Sequence, residues 1–155
     1  LNRSQTLIES TSTIMTDHYF ESTYTFTLIK AGWGIYAQIK AEVNSAEKSS
    51  YSGKYRISDR IWFTFNNKVL SPPEDRIFML NGLTSVSEEI EAVIDEDIVI
   101  AMTHFQIALC DYQKEGMFYA FAAWARNHFG LPEKEINSYF DQENNRYVFP
   151  DLMEE

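Results

Sequence analysis

From Glu21 to Lys30, Tyr24, Phe26 and Leu28 alternate with Thr23, Thr25 and Thr27, a period of two in β-favouring residue types that predicts a strand. Ala31-Gly32-Trp33-Gly34 then supplies a turn with two glycines, and Ile35, Ala37, Ile39, Ala41 and Val43 alternate with polar neighbours, so a β-hairpin is expected. A polar loop over 44–53 leads to a third strand, with Tyr55, Ile57, Ile61, Phe63 and Phe65 on one face and Arg56, Arg60 and Trp62 on the other. Asp59 interrupts its apolar face and marks a bulge, an edge or a short break.

Pro72-Pro73 excludes a central strand over 66–76, because proline donates no ladder hydrogen bond, and the segment reads as a loop. Ile77–Leu80 before Asn81-Gly82 reads as a brief strand ending in a turn. Ser85 and Glu88 have capping-box spacing, and Val86, Ile90, Val93 and Ile94 recur at helical intervals, so an amphipathic helix is expected to end in Asp95, Glu96 and Asp97. Carboxylates in a last helical turn oppose the dipole, which points to a use elsewhere. Residues 98–110 form the longest strand candidate, apolar on both faces at its start and therefore central. A wide apolar stripe over 115–129, stopped by Gly130 and Pro132, predicts a helix lying across the sheet, and a shorter helix is expected over 133–140.

The fold class that follows is α+β: a two-layer α/β sandwich, with a mainly antiparallel sheet of about four to five strands packed by two or three helices. One domain spans 1–155, with 1–20 and 151–155 expected to be loosely ordered. In element order alone the chain resembles the small split β-α-β domains of ribosomal translocation factors, a likeness without a motif that transfers no activity.

Composition adds a charge. The 155 residues carry 23 acids against 13 Lys and Arg, a formal net charge of -10, which disfavours nucleic acid and anionic membranes as partners. The charge is lopsided. Residues 1–73 hold 6 acids and 8 bases, whereas 74–97 alone hold 8 acids and 1 base, an asymmetry that signals a charged partner. A lone cysteine, Cys110, and the absence of any apolar run approaching the roughly 20 residues of a membrane span point to a cytoplasmic protein. The Ser- and Thr-rich start, 1–13, does not read as an export signal.

Candidate chemistry is sparse. Cys110 and His104 share one strand face but stand roughly 20 Å apart at about 3.3 Å per residue, too far for proton transfer, and Cys110 reads as a small buried hydrophobe. His104 reads as a hydrogen-bonded structural histidine more readily than as a base beside a pocket. Three scattered histidines give no metal pattern, Asp95-Glu96-Asp97 lacks the ligand alternation of a calcium loop, and scattered glycines give no phosphate cradle. No catalytic set, metal or cofactor is therefore expected. Trp33, at a hairpin tip, is either a contact residue or a cover over its own core. Trp62 is either a second such contact or packed under a helix.

A small acidic chain without a catalytic constellation resembles, in its gross properties, the immunity proteins of bacterial polymorphic toxins, including contact-dependent inhibition systems. That resemblance implies a non-enzymatic inhibitor that neutralises a basic toxin, usually a nuclease, with Glu88, Glu89, Glu91, Asp95, Glu96, Asp97 and Trp33 as partner contacts. The alternative from a different class is a small enzyme or ligand-binding domain with a pocket between sheet and helices, lined by Tyr119, Phe121 and Trp124. Oligomeric state is not legible at this level.

Overall fold

The computed structural model describes residues 18–46, 54–65, 73–108 and 110–153. Its strands, in chain order, are β1 (Glu21–Ile29), β2 (Gly34–Ser45), β3 (Tyr55–Ser58), β4 (Ile61–Phe65), β5 (Ile98–Ile107), β6 (Tyr139–Asp141) and β7 (Arg146–Val148). Its helices are α1 (Pro73–Thr84), α2 (Ser87–Glu91), α3 (Gly116–His128) and α4 (Pro150–Met153). The expectations for 1–17, 47–53, 66–72, Leu109 and 154–155 lie outside the described residues; residues 18–20, expected to be loose, are tied in by the Tyr19 hydroxyl, which donates to Glu96, and by the Phe20 carbonyl, which accepts from Val43 N.

Strands β1 to β5 form one sheet in the order β1-β2-β5-β4-β3, antiparallel except for the parallel pair β4-β5. The expected α+β two-layer sandwich is present, with β5 central. The two parallel strands are direct neighbours, so no third strand splits the crossover and the likeness to a split β-α-β unit stops there. The expected third strand is two. Asp59 and Arg60 form a turn between β3 and β4, which pair antiparallel with Arg56 opposite Trp62. The odd-numbered apolar positions keep one face through this reversal, so Ile57, Ile61 and Phe63 all reach the core.

Alternation in β5 slips once. Lys40 pairs with His104 and Ala41 with Met102, leaving Thr103 as the extra residue of a bulge. Ile98, Ile100 and Met102 therefore share the core face with Phe105 and Ile107, whereas a regular strand would have put the two sets on opposite sides. The Thr103 hydroxyl bonds the Lys40 carbonyl and the Glu21 carboxylate, stabilising the slip.

Helices α1 and α3 pack together over the sheet's inner face. The loop and short strand expected over 66–80 give way, from Pro73 onward, to α1. Proline suits a first turn, where its missing N–H has no helical partner, and Glu74 and Asp75 follow where the dipole favours acids. Asn81-Gly82, read as a turn, lies inside this helix, where a Cβ on Gly82 would come within 2.1 Å of the Phe118 carbonyl oxygen. Glycine is what lets α1 approach α3. Helix α3 ends as expected: Gly130 has φ 69°, and Leu131 N bonds Arg126 O at 2.8 Å in a Schellman stop.

The helix expected over 133–140 does not form. Residues 131–138 cross as an irregular strap, and β6 pairs with β7 in a small second sheet. The turn between them is built by the Asp141 carboxylate, which accepts from the Glu143 and Asn144 backbone N–H groups, and by Asn145 at φ 53°. Tyr147, fully buried, pins this hairpin to the first one: its hydroxyl donates to Trp33 O at 2.6 Å and accepts from Lys30 N at 2.8 Å. Nor do residues 151–153 fray, since they belong to α4.

Candidate functional site

The acidic segment sits where β2 ends, β5 begins and the β3–β4 turn lies. Its helix is shorter than the spacing suggested. The Ser85 and Ser87 hydroxyls bond backward to Gly82 O and Thr84 O, so the expected capping box does not form and α2 begins after Val86 without a side-chain cap. Helix α2 ends at Glu91. Asp95, Glu96 and Asp97 therefore occupy the connection to β5 and oppose no helix dipole. Val86, Ile90 and Ile94 anchor the segment in the core.

Four of the six carboxylates are held by neighbours. The Arg126 guanidinium donates to both oxygens of Glu89, at 2.9 and 2.7 Å. Glu91 accepts from the Ser58 hydroxyl at 2.5 Å and the Arg60 backbone N–H at 3.4 Å. Glu96 accepts from Tyr19 at 2.5 Å and Ser45 at 2.7 Å. Asp97 pairs with Arg60 at 3.4 Å, while its carbonyl accepts from Ala46 N at 2.9 Å. Glu88 and Asp95 are exposed, with no side-chain partner among the described residues. The bond from Arg126 holds the Glu89 carboxyl below its usual range, and the two hydroxyls do the same for Glu96, so both stay ionised at neutral pH.

Trp33 is not part of this cluster. It sits at the opposite end of β2, twelve residues away, or roughly 40 Å at about 3.3 Å per residue. The indole is half-buried, edge-on to Phe140 and Tyr147, with Nε1 donating to Asn145 Oδ1 at 2.9 Å. Trp62 packs on the sheet face away from the helices, with Ala46 and Val99 in a small cluster of its own and Arg56 over its ring.

The other reactive side chains are dispersed. Cys110 is exposed in the turn after β5, a correction to its expected burial, because the strand ends at Ile107. His104 is exposed on the outer face beside the bulge, and among the described residues it has no hydrogen bond of the kind expected of a structural histidine. One arrangement escaped sequence reasoning. The Ser22 hydroxyl lies 2.6 Å from His128 Nδ1, whose Nε2 lies 2.9 Å from the His18 carbonyl oxygen. A ring with Nε2–H donating and Nδ1 accepting satisfies both contacts, and burial lowers the His128 pKa, favouring that neutral form. The pair has a nucleophile-and-base look, but His128 is packed against Phe20, Trp124 and Phe129 and lines neither of the two grooves formed by the described residues. It latches the start of β1 to the end of α3. A signal existed in a histidine in a last helical turn, but its partners are more than 100 residues away in sequence.

A groove of about 800 Å³ runs between β1, α3, the strap and α4. Tyr119 lines it as expected; Phe121 and Trp124 lie in the core instead, on the sheet-facing side of α3. Its Arg126, Lys30 and Ser85 are engaged with Glu89, Ser138 O and Gly82 O. Among the described residues no group of three or more His, Cys, Asp or Glu is placed to hold a metal ion, and no helix is long and apolar enough to cross a membrane. No protein-family model matches the chain, and no curated protein sequence is similar to it.

Proposed function

We propose that this chain is a cytoplasmic, non-enzymatic inhibitor that binds a basic protein, in the manner of the immunity proteins that neutralise bacterial polymorphic toxins. The observation that carries this reading is the acidic end of the sheet. Among the described residues, the six carboxylates within 88–97 form ion pairs with two arginines, Arg60 and Arg126, and Lys134 adds its charge near Glu89. Four are fixed by the hydrogen bonds described above, and Glu88 and Asp95 are exposed and have no side-chain partner among the described residues. A pre-positioned array of this kind steers a cationic protein into encounter and loses little side-chain freedom on contact. On a nuclease, such carboxylates occupy the positions that nucleic-acid phosphates take. Trp33, at the far end, is not required for this contact.

The test is to sequence the neighbourhood of the gene and co-express the chain with a basic toxic domain encoded there, with growth as the first readout and calorimetric titration at several salt concentrations as the second; a neighbourhood without such a domain counts against the proposal. Rescue of growth, with affinity falling as salt rises, is the expected result. Failure to rescue, or binding indifferent to salt, overturns the proposal.

A further inference from the structure

We infer that β1 is a self-association edge, through which two copies of this chain join their sheets across a twofold axis at Thr25. β1 ends the five-stranded sheet, and among the described residues its only strand partner is β2. Tyr36 N, opposite Thr27, points away from β1 to bond Asp111 O at 2.9 Å, which fixes the direction of every backbone group along the pair. The N–H and C=O groups of Thr23, Thr25, Thr27 and Ile29 therefore face outward from the sheet edge, and no partner meets them among the described residues. Natural edges are usually blunted by proline, an inward charge or a covering element. Between Ser22 and Ile29 this strand holds neither proline nor charge, and Ile29 is 72% exposed.

The sequence of the strand says what fits there. Ser-Thr-Tyr-Thr-Phe-Thr-Leu over 22–28 is nearly palindromic about Thr25. An antiparallel second copy centred on Thr25 sets Thr23 opposite Thr27 and Thr25 opposite itself on the outer face. It sets Tyr24 opposite Phe26 and Ser22 opposite Leu28 on the inner face. Thr–Thr and aromatic–aromatic pairs are among the favourable cross-strand contacts. The outward backbone groups fall in register as hydrogen-bonded pairs.

This inference does not rest on the proposed toxin contact, and salt separates the two. Two copies that each carry a charge of -10 repel, so salt strengthens the dimer while it weakens an acidic-to-basic complex. Sedimentation velocity on the full chain is expected to give twice the monomer mass, increasingly so at higher salt. Thr25→Lys puts two cations on the axis and is expected to return the monomer with an unchanged circular dichroism spectrum. Thr25→Pro, which removes one outward N–H, does the same if the strand tolerates it. In a Cys110→Ser background, Thr25→Cys is expected to cross-link under mild oxidation, because hydrogen-bonded antiparallel partners stand about 5.5 Å apart at Cα. Thr23→Cys and Thr27→Cys cross-link to each other when mixed, but slowly to themselves. A monomer at every concentration up to the solubility limit, a dimer that survives Thr25→Lys, or fastest self-cross-linking at position 23 or 27 overturns the inference.

Discussion

Arg126 clasps Glu89. The guanidinium is buried at the end of α3, the carboxylate stands 44% exposed on α2, and a third bond runs from Arg126 to Pro132 O at 3.2 Å. One side chain thus ties together α2, α3 and the strap. The geometry is bidentate, which is the strong form of this contact. It also means that one of the six carboxylates singled out for a partner is already committed within the chain.

Truncating either member is expected to act on stability. Glu89→Ala leaves a buried cation without its counter-charge and is expected to cost about 2 kcal/mol, less than for a fully buried pair because solvent reaches the carboxylate. Urea unfolding followed by tryptophan fluorescence measures this. A change within experimental error would mean that water replaces Glu89 at no cost.

Partner binding is expected to divide the acids. Glu88→Lys with Asp95→Lys reverses the two free charges and is expected to slow association with a basic partner by about tenfold at low salt, leaving stability unchanged. Glu96→Gln is expected to affect stability as well, since Tyr19 and Ser45 both donate to that carboxylate. Stopped-flow association beside thermal unfolding separates the two effects. Equal loss of association in Glu89→Gln and in the Glu88/Asp95 variant would contradict the division.

Gly82→Ala is expected to destabilise the fold by about 2 to 4 kcal/mol, although alanine favours an exposed helix interior by about 1 kcal/mol over glycine. The new methyl would meet the Phe118 carbonyl, which is backbone and cannot rotate aside. A rise in melting temperature would show that α1 can retreat from α3 without loss.

Stability is expected to fall in two steps on acidification. The folded His128 pKa is depressed by burial, so between the ordinary value of 6.5 and its folded value the unfolded chain takes the proton first. Stability present above 6.5 is therefore lost as pH falls below it. Glu89 and Glu96, depressed from 4.5 by their hydrogen bonds, contribute stability that is present above 4.5 and lost as pH falls through their folded values. Denaturant midpoints measured from pH 8 to 3 trace both steps. In His128→Asn the upper step is expected to vanish while the lower one stays.

What the chain's own pattern determined was local. Alternation fixed β1 and β2 and the turn between them, and a wide apolar stripe with its glycine stop fixed α3, because each rests on neighbours within a few residues. The α+β class followed from their order. Tertiary packing decided the rest. Gly82 looked like a turn residue, yet Phe118 presses against it inside a helix, and residues 133–140 gave up a helix where Lys30 holds the strap at Ser138 O and Tyr147 holds β7 to the first hairpin. A single bulge residue, Thr103, moved Phe105 and Ile107 to the other face. Composition found the carboxylates of 88–97 but not which were free, since that depends on Tyr19, Ser45, Ser58, Arg60 and Arg126, brought from distant parts of the chain. Alternation and composition register nearest neighbours and totals; hydrogen-bond partners that meet only in the folded chain leave no trace in either.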